Sequence, residues 1–128
     1  MCVLPNAHPL CHSTAITPAD LQGHKLIGVD GNIGALVRTA FIETGIPYDP
    51  AMELRYCHTA CVLANAGVGV TVVDSFSAHF ISSIDAQIRP FLPEKKIPAM
   101  AVHRRGAHLS RTAQGFVEET QSQLATRG

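Results

Sequence analysis

The sequence predicts an α/β fold: a mostly parallel sheet with helices on both faces. Three observations carry this. From Lys25 to Asp74 the chain alternates strand, helix, strand, helix, strand, and a βαβαβ unit implies a parallel sheet. KLIGVD (25–30) reads as a buried strand, and GVTVVD (69–74) is rich in β-branched valine. Between them, Ile33, Leu36, Val37, Ala40 and Phe41 recur at helical spacing and form one apolar stripe.

Each element has its own signals. CVL (2–4) is a short strand ended by Pro5, and a loop, NAHPLCHSTAI, follows. TPADLQG (17–23) has Thr17 as N-cap, Pro18 at the first helical position, Asp20 at the third and Gly23 as a stop, which predicts a one-turn helix. After KLIGVD, Gly31 punctuates, and the helix that follows stops at Gly45 and Pro47. MELRYC (52–57) alternates as a strand, with Met52, Leu54 and Tyr56 on one face. HTACVLANAG is a second helix with Gly67 as its stop. FSAHFISSI, after Asp74 and Ser75, reads as a short helix. IRPF and IPAMAVHR read as further strands at edge or crossing positions, because proline cannot donate to a ladder. Ser110 caps a last helix whose stripe is Ala113, Phe116, Val117 and Leu124, with Glu118 and Glu119 facing out.

Composition narrows the function. The 128 residues suit one domain, with 46% hydrophobic and 16% charged residues and a formal net charge of zero. A neutral chain without a basic stripe lacks the electrostatic footprint of a nucleic-acid binder. No apolar run approaches the ~20 residues that span a membrane, and no secretory signal opens the chain. A reducing, cytoplasmic setting follows, in which the four cysteines are thiols rather than disulfides.

Two groups of metal-ligating residues stand out. Cys2, His8, Cys11 and His12 fall within the first twelve positions. Structural zinc sites pair ligands about two to four residues apart; only Cys11 with His8 or His12 comes near this, so no metal is expected. Cys57, His58 and Cys61 form the second group, with Cys57 and Cys61 one helical turn apart. Cys61 sits among Ala60, Leu63 and Ala64 and reads as core. GxSxG, HExxH and GxGxxG are all missing, so no enzyme is expected. VDGNIG offers instead a strand-to-helix turn whose backbone N–H groups at Asn32, Ile33 and Gly34 suit an anion such as a carboxylate. Ligands of open α/β sheets bind beyond the carboxyl ends of the strands, which selects the loops Asp30 to Ile33, Cys57 to Thr59, and Asp74 to Ser75.

VLPNAHPL, TPADLQGHKLI, ANAGVGVTVVD and LSRTAQGFVEETQSQL succeed one another from residue 3 to residue 124. The succession resembles the effector-binding domain of LysR-type transcriptional regulators. The resemblance implies a three-layer αβα fold of the type 2 periplasmic-binding-protein kind, with the effector between two subdomains. Residues 1–108 match subdomain II with its hinge strands, and residues 109–128 the C-terminal helix that returns to subdomain I. The family's N-terminal helix-turn-helix, linker helix and first half of subdomain I have no counterpart. By position, Gly31, Asn32 and Ile33 match the loop aimed at the effector, and Cys57, His58, Thr59, Val70 and Thr71 line the same cleft. VGVTVVDSFSA looks most like the branch that senses opines and related amino acids.

Further expectations follow from the resemblance: a small carboxylate effector, no cofactor, DNA contact only through the missing N-terminal domain, a homo-oligomer, and no membrane partner. With half the cleft missing, effector binding should be weak, and the Ala113–Leu124 stripe should self-associate or fray. Rival readings are a stand-alone solute-binding protein of the same fold and a small metal- or redox-sensing module built on Cys2, His8, Cys11 and His12.

Overall fold

The computed structural model describes residues 1–80 and 85–127. Met1–Lys96 forms one compact unit and Ile97–Gly128 another. In the first unit the order is β1 (Cys2–Leu4), a single 3-10 turn (Pro9–His12), β2 (Leu26–Val29), α1 (Gly31–Glu43), β3 (Met52–Leu54), α2 (Cys57–Asn65), β4 (Val70–Val72), α3 (Ser75–Phe80) and β5 (Gln87–Arg89). The second unit holds α4 (Arg111–Arg127).

Among the described residues the strands form one sheet in the order β3-β2-β4-β1-β5. β2 pairs in parallel with β3 (Ile27 beside Met52) and with β4 (Ile27 beside Thr71). β1 is antiparallel to both β4 and β5, so the sheet is mixed, not wholly parallel. β5 is the edge strand that Pro90 permits.

Strand side chains alternate between two cores. On one face Cys2, Leu4, Leu26, Val70 and Val72 meet Val37, Ala40 and Phe41 of α1, with Ile16, Leu21 and Phe91 closing the layer. On the other, Val3, Ile27, Val29 and Val73 meet Ala60, Cys61 and Ala64 of α2 and Ala78 of α3. The result is three layers, helix on sheet on helix. α1 lies very close to β2: a Cβ on Gly34 would stand 1.8 Å from the Val29 carbonyl oxygen. Only glycine fits there.

Several expected elements differ. Residues 17–23 form successive turns, not a helix: the amides of Asp20, Leu21 and Gln22 donate to the carbonyls of Thr17, Pro18 and Ala19 at 3.1, 3.2 and 3.2 Å. The end signals are still used, since the Thr17 amide and hydroxyl donate to Asp20 Oδ2 at 2.8 and 2.6 Å. Start and stop signals so close together leave no length over which a costly nucleus could propagate. Tyr56 leaves the strand and stands as N-cap of α2. IPAMAVHR makes no ladder among the described residues, and Met100 and Val102 are 78% and 90% exposed. A lone extended segment has no stability without a partner, and Pro98 removes one donor. Residues 81–84 of the expected FSAHFISSI helix lie outside the described residues, and α3 covers its start. The α4 helix begins as expected, with Ser110 Oγ accepting from the Ala113 amide at 3.2 Å.

Gly34→Ala should destabilise the first unit by about 1–3 kcal/mol, because the helix must move off the strand. Gly115→Ala, with nothing within 4 Å of its Cβ position, should raise the helicity of α4 and stabilise it by ~1 kcal/mol. Urea unfolding and far-UV circular dichroism of the two variants check the opposite signs. His8 caps the 3-10 turn through Nδ1, which accepts from the Leu10 amide at 3.3 Å, and the His24 ring stands 4.7 Å away. Burial first, then the His24 charge, pushes the His8 pKa below its ordinary value. The folded state therefore prefers neutral His8, so this contribution is complete above the unfolded pKa of about 6.5 and is lost as pH falls through the lower folded value. His8→Asn, which keeps an acceptor at the cap, should flatten the fall in urea midpoint between neutral and mildly acid pH; an unchanged slope would show that His8 is not its source.

Candidate functional site

The three parallel strands end on one edge of the sheet, at Asp30, Arg55 and Asp74, and the next helix starts from each end. Parallel pairing makes this necessary, since each crossover must begin where a strand stops. The loops selected from the sequence are thus brought together.

At β2, Asp30 has extended backbone and its Oδ1 accepts from the Gly31 amide at 2.7 Å, capping α1. Gly31 has φ +78°, a left-handed conformation that glycine adopts without strain. The chain thereby turns directly from strand into helix. Gly31 and Asn32 are exposed, while Ile33 is half-buried and touches both cores.

Arg55 and Tyr56 lie at the end of β3. Tyr56, 65% exposed, is N-cap of α2 without a side-chain capping bond. Asp30, Gly31, Arg55 and Tyr56 line a cavity of about 240 Å3. His58 and Thr59 are exposed on the first turn of α2 and Cys57 is half-buried.

Asp74 ends the third strand region. It caps α3, accepting from the Ser77 amide at 2.8 Å and the Ser77 hydroxyl at 2.7 Å. Burial opposes its charge, but these bonds and one with the Cys57 thiol outweigh burial and hold the carboxyl below its ordinary value. Burial raises the Cys57 pKa, and the Asp74 charge raises it further. Cys61, one turn deeper, is pushed up to about 12 by burial. Both thiols are protonated at neutral pH, so the pair is a neutral floor under the edge, not a nucleophile.

Val70 and Thr71 do not reach this surface. Both are wholly buried, Val70 begins β4 at the far end of the strand, and the Thr71 hydroxyl donates to the Ile27 carbonyl at 2.8 Å. The end of this strand region that reaches the surface beside the starts of α2 and α3 is Asp74, not Val70. The first-twelve cluster is also spent locally. Cys2 is buried in β1 with its pKa raised to about 12 by burial, and Cys11 Sγ donates to the Pro5 carbonyl at 3.3 Å. No three His, Cys, Asp or Glu side chains are gathered to hold a metal among the described residues. No helix among them is long and apolar enough to cross a membrane.

Sequence reasoning missed Arg55 and Tyr56. Their signal was available: a charged and an aromatic residue directly after a strand that pairs in parallel. The alternation in MELRYC drew Tyr56 into the strand instead.

In three-layer α/β units of this kind, ligands bind beyond the carboxyl ends of the strands, where the helix starts are gathered. The family model for the LysR substrate binding domain matches residues 1–125, and the chain belongs to that family. The transcriptional activator protein LysR of Escherichia coli K12 is 26% identical over 131 residues, covering 98% of this chain and 42% of that protein. The chain thus spans less than half the length of this curated relative. Among solved structures, the BenM effector binding domain with its effector benzoate superposes with a TM-score of 0.61 at 22% identity, over 72% of this chain and 44% of that one. The effector binding domain of QuiR in complex with shikimate gives 0.61 at 16%, over 91% and 56%. These two structures share the fold of this chain.

The Cys57–Asp74 contact can be tested. Asp74→Asn removes the negative charge that disfavours the thiolate, so the Cys57 pKa should fall and its alkylation by iodoacetamide at mildly alkaline pH should quicken severalfold. Cys2 and Cys61 should stay slow. Peptide mass spectrometry across a pH series reads this; a pH-rate profile that does not move would contradict it.

Proposed function

We propose that this chain is the effector-sensing part of a LysR-type regulator and that a small carboxylate binds at the edge formed by Asp30–Ile33 and Arg55–Thr59. The observation that carries the reading is the cavity between the starts of α1 and α2, lined by Asp30, Gly31, Arg55 and Tyr56. The amides in the first turn of a helix lack intrahelical acceptors and attract negative charge. Arg55 adds a full positive charge at the start of α2. Gly31, Asn32 and Ile33 supply one wall, and Cys57, His58 and Thr59 the other. Benzoate and shikimate, the ligands named for the two solved relatives, are both carboxylates, which agrees with this chemistry. Within that class, an opine or amino acid is the finer assignment we favour, from the wording VGVTVVDSFSA.

On this reading the first unit is subdomain II and α4 belongs to subdomain I. The facing wall of the cleft, the DNA contact and homo-oligomer assembly are supplied by other parts of a complete regulator, in the cytoplasm. Effector binding acts there by shifting an equilibrium between arrangements of the two subdomains.

Titration of the isotope-labelled chain with benzoate tests the site. The amide signals of Gly31–Ile33 and Tyr56–Thr59 should move together and saturate in the millimolar range, since only one wall is present. Movement confined to the cavity at the opposite edge, lined by Leu21, His24, Lys25 and Asp49, would contradict the assignment.

A further inference from the structure

We infer that Cys57 and Cys61 form a site for a soft d10 metal cation, held in line between their two sulfurs, with divalent mercury as the ion of best fit. The effector reading leaves both sulfurs without a chemical role.

The helix sets the pair. Cys57 opens α2 and Cys61 follows four residues later, so the two side chains share one face, with Cβ atoms about 5–6 Å apart. That face is turned to the sheet. Cys61 is wholly buried in the core of Val3, Ile27, Val29 and Val73, and Cys57 packs against the same core from its rim. Cys57 is half-buried and gives an ion entry from the surface.

Spacing then decides what the pair can hold. A disulfide needs Cβ atoms about 3.5–4.5 Å apart, closer than one helical turn brings them, and both thiols are free. Structural zinc takes four ligands, and no three His, Cys, Asp or Glu side chains are gathered to hold a metal among the described residues. What remains is an ion that two ligands satisfy. Two metal–sulfur bonds of about 2.3 Å set in line span about 4.6 Å, a separation that sulfurs one helical turn apart can meet.

Softness and charge narrow the ion. Met1 and Met52 pack against the same core, so the surroundings are apolar and polarisable, and thiolate ligands select soft ions. Each S–H bond breaks as its metal–sulfur bond forms. Two protons leave to solvent, and no atom changes oxidation state. A divalent ion then leaves a neutral complex. A monovalent ion leaves an anion, which an apolar core penalises, beside the Asp74 carboxylate that the Cys57 thiol faces. Cys2 and Cys11 lie on the opposite face of the sheet and share no helix: Cys2 is in β1, and Cys11 is on the 3-10 turn with Sγ donating to the Pro5 carbonyl at 3.3 Å.

One equivalent of mercuric chloride, added to the reduced chain in the presence of excess glutathione, tests this. Two thiols fixed on one helix act at high effective concentration, whereas glutathione must bring two separate molecules, so the chain should keep the ion. Native mass spectrometry should show one mercury per chain and two protons fewer. After gel filtration, iodoacetamide should alkylate Cys11 and spare Cys57. Cys57→Ser, at the rim of the core, should surrender the ion to glutathione, a loss greater than the about 10–100-fold that follows removal of a partner outside the ligand set. Cys61→Ala should do the same, and Cys11→Ser should not. Protection of Cys11 in place of Cys57, one ion shared by two chains, surrender of the ion by the unaltered chain, or its retention by Cys57→Ser would each overturn the inference.

Discussion

The edge proposed as the ligand site depends on the parallel pairing of β2 with β3 and β4. Ile27 lies beside Met52 on one side and Thr71 on the other, so β2 is laddered along both edges and covered on both faces. Parallel neighbours cannot be joined by a tight turn; each connection must cross the sheet and return. That constraint makes α1 and α2, sends every crossover off the same edge, and gathers Asp30, Arg55, Tyr56 and Asp74 there. The Thr71 hydroxyl, bonded to the Ile27 carbonyl, shows how completely the interior of this pairing is satisfied.

The close approach of α1 to β2 refines the geometry. With Gly34 against the Val29 carbonyl and Gly31 in a left-handed turn, the helix begins within a residue of the strand's end. Its first amides and the Asp30 carboxylate are then held by backbone rather than by a mobile loop. The opposite helix start is less satisfied, since Tyr56 supplies no capping bond. Beneath them burial and then the Asp74 charge keep the Cys57 thiol neutral, while the Ser77 hydrogen bonds, with a smaller one from Cys57, keep the Asp74 carboxylate charged. Such an arrangement has few groups able to do covalent chemistry and several able to recognise charge, which suits sensing.

Much of the fold was legible in the sequence. The Ile33–Phe41 stripe, the valine-rich GVTVVD and the Gly67 stop each correspond to an element, because local periodicity and burial agree there. Legibility ended where tertiary partners decide. TPADLQG shows every helix-end signal and still forms only turns, since its start and stop lie too close together for a helix to propagate, while Leu21 is buried in the core. IPAMAVHR has strand composition and no ladder among the described residues. In the site, the loops follow from topology alone, whereas Arg55 and Tyr56 are hidden by the strand-like alternation of MELRYC, which carries β3 past its actual end at Leu54. Val70 and Thr71 belong to a strand that leads to the edge, but both side chains are wholly buried within the sheet.

The account stands on one claim: the carboxyl edge of β2, β3 and β4 is the ligand site. A crystal of the chain grown with 4-bromobenzoate, with anomalous scattering recorded at the bromine edge, tests it most directly. The account predicts a bromine peak beside the starts of α1 and α2, with the carboxylate toward Arg55. A peak at the opposite edge, beside Leu21 and Asp49, would contradict it.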